Sequence, residues 1–214
     1  DLSRARLAGA SLREADLSGA NLQAANLRWA SLAGANLCGT NLKGADLSWC
    51  ALEGAMLDDG SGLDPKWRLV WEILTEPDRS SDLRGADLTR AWLQGIDLHG
   101  VDLRGASLAY AFLQSAVLSD ADLEGVNLER AFLQQADLRG ADLIRVELRR
   151  AQLERADLRG AVLYKADLAD AILYRANFRG AFLRKANLAG AQRGFLGNAL
   201  CLMGATMPDG SVHE

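Results

Sequence analysis

Leucine recurs at every fifth residue along most of this chain. It runs from Leu2 to Leu57 and again from Leu83 to Leu188, with Phe178 the one substitute, giving 12 turns and then 22. Two places before each Leu stands a small apolar residue, Ala in most turns, with Thr40, Cys50, Ser81, Ile96, Val101, Val126 and Val146 as variants. The residue just before the Leu is often Asp or Asn. An α-helix buries residues at three- and four-residue spacing and a strand at two. A sustained period of five fits neither and marks a repeat architecture.

The five-residue unit predicts a short extended piece followed by a turn. The Leu and the small residue point inward, and the other three point outward. Gly recurs two places after the Leu, as at Gly85, Gly95, Gly105 and Gly125. That is the third residue of a turn starting at the Leu, where a type II turn needs positive φ. Four such turns close a square of 20 residues, and squares stack through parallel backbone hydrogen bonds at ~4.8 Å. The predicted class is all-β, a quadrilateral parallel β-helix. Pro65, Pro77 and Pro208 are read as outside the repeats, since proline removes a ladder donor.

The period divides the chain into coils 1–57, an insertion 58–80, coils 81–191 and a C-terminal cap and tail 192–214. In the insertion, Pro65 sits where a helix starts, Asp64 is a candidate cap, and Pro77 ends the segment. Trp67, Val70, Trp71 and Leu74 form an apolar stripe at helical spacing. So short a helix must cover that stripe on its own coil or on a partner, and the wall carrying Ser11, Ser31 and Ala51 offers room. "FLGNALCLMG" reads as a short helix or irregular plug, with Phe195, Leu196, Leu200 and Leu202 covering the last coil. The first coil has no such cover, which predicts a longer natural chain or end-to-end association there.

Charge narrows the function classes. Residues 1–57 carry five basic and five acidic side chains, and 81–191 carry fifteen of each. No net basic excess predicts a nucleic-acid partner. No 18-residue apolar run predicts a membrane span, and no signal leader is visible. Cys38, Cys50 and Cys201 read as free thiols, favouring a reducing, cytoplasmic compartment. No His or Cys cluster has metal-ligand spacing, and no Gly-rich phosphate loop opens a helix. The reading is no enzyme, no cofactor and no metal.

Period 20 sorts residues 82–192 into four walls. One stacks Asp82, Asp102, Asp122 and Asp142 beside Arg84 and Arg104. A second carries Arg90, Tyr110, Arg130 and Arg150, and a third His99, Arg139, Arg159 and Arg179. The fourth differs: Trp92, Phe112, Phe132, Gln152 and Ile172 precede the Leu, and Gln94, Gln114, Gln134 and Tyr174 follow it. Such an apolar wall on a charged protein marks a partner surface or an aromatic ladder that stiffens the coil. Trp92, Phe112, Phe132, Ile172 and Tyr174, with Trp67 and Trp71 of the insertion, are the candidate protein-binding residues.

The units "ADLRGADL" and "ANLRWASL" resemble the pentapeptide-repeat proteins, and the segments "DPKWRLVWEIL" and "TMPDGSVHE" resemble cyanobacterial members of that family. The resemblance implies a right-handed quadrilateral β-helix. It implies regulatory roles such as control of cell differentiation, or, as an alternative, DNA-mimicking inhibition or protection of DNA gyrase. The expectation is a non-enzymatic protein-interaction scaffold. The neutral coils argue against the DNA mimic, and a repeat module of a larger chain is the third reading.

Overall fold

The computed structural model describes residues 1–75, 82–192, 199 and 201–213, in two compact units, 1–79 and 80–214. Each unit is built from the predicted coil. The residue before each Leu pairs in parallel with the residue 20 later, as in Asn26↔Asp46 in the first unit and Phe112↔Phe132 in the second. Every corner is a β-turn closed by the N–H of the small residue on the Leu carbonyl three back, such as Ala131 N to Leu128 O at 3.0 Å. Between coils, the Leu N–H and the corner N–H donate forward: Leu113 N to Phe132 O at 2.8 Å, Ser115 N to Gln134 O at 2.9 Å. The narrow core is a stack of Leu and Ala, and Leu88 through Leu188 are essentially inaccessible to water. Buried Phe178 fills one Leu position.

Two features explain the outward positions. The corner takes positive φ whatever residue occupies it: Gly125 at 66°, but also Tyr110 at 60° and Lys165 at 59°. The left-handed conformation costs an L-residue about 1–2 kcal/mol, so the coil imposes it and glycine only relieves it. The Asp or Asn before the Leu accepts a hydrogen bond from the N–H two residues on, as in Ser18 N to Asp16 Oδ1 at 3.0 Å and His99 N to Asp97 Oδ1 at 3.0 Å. That N–H has no partner in the ladder, so the side chain completes the turn.

The insertion forms one helix, α1, Pro65–Thr75. The Asp64 carbonyl accepts from Trp67 N and Arg68 N, both at 3.0 Å. Hydrogen bonds from the insertion tie it to the open end of the first unit's coils. The last coil leaves ladder groups without a following coil, and the insertion supplies their partners. Asp58 Oδ1 accepts from Gly39 N at 2.9 Å, Asp64 Oδ1 from Gly44 N at 3.4 Å, and Trp71 Nε1 donates to Ala55 O at 2.7 Å. An unsatisfied edge is a stronger seat than a wall whose backbone groups are already paired. The buried helix face is Trp67, Val70 and Ile73, with Trp71 and Leu74 half-buried. It is turned from the predicted stripe because α1 lies on a coil end.

The tail also departs from expectation. Phe195, Leu196 and Leu200 lie outside the described residues, but Cys201 pairs with Phe182 and Thr206 with Asn187, both parallel. The repeat therefore resumes at a step of 19, with Cys201–Leu202 and Thr206–Met207 as two further turns. Half-buried Leu202 stands at the Leu position of a turn rather than in an irregular plug. Pro208 falls inside a repeat turn after all. Its position needs no ladder N–H, and its carbonyl accepts from Gly190 N at 3.1 Å. Val212 then folds back antiparallel on Thr206, with His213 N on Ala205 O at 2.9 Å.

Candidate functional site

The second unit brings Trp92, Phe112 and Phe132 into one column. Trp92 and Phe112 stack with centroids 4.9 Å apart and planes at 6°, and Phe112 and Phe132 at 4.3 Å and 23°. The spacing follows from the coil rise. Successive pre-Leu residues are bridged backbone to backbone, so their rings stand face to face at the inter-strand distance. All three residues are half-buried. Beside them runs a neutral polar chain: Gln114 Nε2 donates to Gln134 Oε1 at 3.2 Å, and Gln134 Nε2 to Gln152 Oε1 at 2.5 Å. Ile172 continues the aromatic column above Gln152 and is half-buried. Tyr174 is 44% exposed, with the Arg175 guanidinium 5.1 Å from its ring centroid. One oxygen of Glu154, next along the glutamine column, is buried without a hydrogen-bond partner among the described residues.

Trp67 and Trp71 lie elsewhere. Trp67 is buried, and Trp71 spends its indole N–H on Ala55 O, so both serve the end of the first unit. In that unit, Trp29 and Trp49 stack at 4.8 Å and 14°, with the Arg28 guanidinium 5.1 Å from the Trp49 ring centroid.

The other walls carry ionic ladders. Arg84 bonds Asp82 at 2.6 Å and reaches Asp102 at 3.7 Å, while Arg104 pairs with Asp102 and reaches Asp122 at 3.3 Å. The Arg104 hydrogen bond, the largest cause, lowers the Asp102 carboxyl to about 2. Arg139 likewise holds the Asp137 carboxyl below its ordinary range. These pairs face water, which screens them, so each adds little to stability. His99 Nδ1 lies 2.8 Å from Ser119 O and 3.1 Å from its hydroxyl. Burial pushes the Cys50 thiol up to about 12. Among the described residues no group of three or more His, Cys, Asp or Glu is placed to hold a metal ion, and no helix is long and apolar enough to cross a membrane.

Sequence reasoning missed one surface. The Asp wall changes character after Asp142: Val162, Phe182 and Cys201 continue its pre-Leu column. The signal was present, since counting the period of 20 on past Asp142 reaches Val162 and Phe182.

The family model described as pentapeptide repeats matches the chain in 8 copies, over residues 1–32, 20–59, 81–120, 121–160 and 151–190. Among solved structures, the chain is similar to HetL, a pentapeptide repeat protein involved in heterocyst differentiation regulation from the cyanobacterium Nostoc sp. strain PCC 7120. The two are 32% identical over 95% of this chain and 91% of that one, with a TM-score of 0.46. It is similar to alr5209, a pentapeptide repeat protein from Nostoc PCC 7120, at 31% identity over 63% of this chain and 93% of that one, TM-score 0.34. It also matches QnrB1, a plasmid-mediated fluoroquinolone resistance protein, at 17% identity over 90% of this chain and 79% of that one, TM-score 0.38. No curated protein matches the chain.

Proposed function

Because the chain belongs to the pentapeptide-repeat family, whose fold is the right-handed quadrilateral β-helix, we propose that it is a non-enzymatic scaffold that binds a protein partner. The binding surface in this reading is the wall of Trp92, Phe112, Phe132, Ile172 and Tyr174. The observation that carries it is the contrast between walls. From 82 to 142 the other three walls hold every charged side chain, and this one holds none. Uncharged aromatic and amide groups lose little on desolvation, and aromatic anchors of this kind dominate interface energies, at roughly 2 kcal/mol or more each.

A regulatory role follows the likeness to HetL, which is involved in differentiation control. A DNA-mimicking role on gyrase has less support, because residues 81–191 balance fifteen acids with fifteen bases. The test is site-specific photo-crosslinking in cells that make the protein. A photoreactive residue at Gln94 should capture a discrete protein that the same residue at Thr89, on the neighbouring wall, does not. The double change Gln114→Glu and Gln134→Glu, which charges the wall and spares the ring stack, should abolish capture. Equal capture from both positions would sink this reading.

A further inference from the structure

The balanced charge of the second unit hides an axial split. From 82 to 142 there are ten acidic and five basic residues, and from 143 to 192 five acidic and ten basic. The split is sharpest on the Asp wall. Its first coils carry five acids against two bases, laced by the Asp82–Arg84–Asp102–Arg104–Asp122 ladder. Its later coils stack Arg145, Lys165 and Lys185 at one corner, joined by Arg145 N to Tyr164 O and Lys165 N to Arg184 O. Arg184 stands beside that corner column. Asp142, which accepts from Ile144 N at 3.0 Å, is the last acid of this wall. Arg145 reaches back to Glu124 at 3.3 Å, while Lys165, Arg184 and Lys185 make no ion pair among the described residues. Next to the cations, Ile144, Val162 and Tyr164 are half-buried, Phe182 is 42% exposed and Met203 49%.

We propose that this half-wall is a second docking surface, and that its occupant is an acidic amphipathic helix of a partner protein lying along the coil axis. Stacked like charges repel: Arg145 leans on Glu124 and Lys165 lies 5.3 Å from the Tyr164 ring centroid, so the column's cations, with Arg184 beside it and exposed aromatic and thioether groups nearby, ask for a ligand that is both anionic and apolar. The dimensions select a helix. Residues three and four apart on a helix rise about 4.5–6 Å, close to the ~4.8 Å coil rise, whereas same-face residues of a strand are about 6.6 Å apart. An acidic row would meet Arg145, Lys165 and Lys185 while an apolar row meets Val162 and Phe182. Nucleic acid fits less well, because the acidic coils of the same wall repel a long polyanion.

The test is a titration of the isotope-labelled full chain, followed through its amide resonances. The probe is a stapled synthetic helix of about 15 residues with adjacent Glu and Leu rows. Saturable shifts should be confined to amides of 144–206 on this wall. They should weaken at least about tenfold in Phe182→Ser and, separately, in Lys165→Glu with Lys185→Glu. Glu14 occupies the same corner position at φ 56°, so the coil accepts Glu there, and unchanged melting would confirm that both variants fold. The proposal is overturned if a scrambled peptide of the same composition or a thymidine oligonucleotide binds as tightly, or if nothing saturates. It is also overturned if the unliganded chain sediments as a dimer that the charge reversal dissociates, since the occupant would then be a second copy.

Discussion

Replacing Phe112 by Ala removes the middle ring of the aromatic column, and the structure sets the size of the effect. Phe112 faces Trp92 at 4.9 Å and Phe132 at 4.3 Å, so two stacked contacts disappear. Each is worth about 0.5–1.5 kcal/mol beyond area burial, and uncovering a half-buried ring adds about 1 kcal/mol. The expected loss is about 2–4 kcal/mol. At roughly 2–4 °C per kcal/mol for a chain of this size, the melting midpoint followed by far-UV circular dichroism should fall about 4–16 °C. A double-mutant cycle locates the energy. Trp92→Ala with Phe112→Ala should show a coupling of about 0.5–1.5 kcal/mol, because the rings touch. Trp92→Ala with Phe132→Ala should be additive within about 0.5 kcal/mol, because Phe112 stands between them. Melting of Phe112→Ala within about 1 °C of the parent, against the several degrees computed from the stack, would refute the reasoning. So would equal couplings in the two cycles.

Leu138→Asp places a charge in a fully buried position of a narrow core, and should abolish cooperative melting. Retained melting near the parent temperature would contradict the coil assignment. The Asp102 carboxyl, lowered to about 2 by Arg104, contributes stability that is present above the ordinary carboxylate range and lost as pH falls toward 2. The melting midpoint should therefore drop between about pH 4 and pH 2, and Arg104→Gln should flatten that drop; an unchanged profile would exclude the ladder as its source. Cys50, buried and pushed up to about 12, should resist iodoacetamide in the native protein at pH 8 and react only after unfolding, as read by peptide mass spectrometry.

The coil was legible because its signal is redundant. A Leu and a small residue in every five leave one way to bury both, and the stacked column of Trp92, Phe112 and Phe132 follows from counting by 20. Three things were harder to read. In sequence an Asp or Asn before the Leu is one more outward polar residue, yet its work is local, completing a turn N–H that the backbone ladder leaves open. The seat of α1 depends on which backbone groups the last coil leaves open, and no residue pattern displays that. The tail hid two turns because Met207 and Pro208 stand where Leu and a polar residue usually do, and because the step shortens from 20 residues to 19.

The direction of the ladder has a mechanical consequence. Among the described residues of the second unit, the backbone hydrogen bonds between coils run along the stacking axis, from one coil to the next. Tension along that axis loads the coils in series, as links of a chain, while tension across a wall loads many bonds of one coil together. Pulled along its length, the unit should yield by peeling, one square at a time. Each release pays out one coil's contour of 20 residues, about 70 Å when extended. Pulled sideways it should hold to a higher force and fail at once. A protein tethered by its walls would therefore be a stiff strut, and one tethered by its ends an extensible spring.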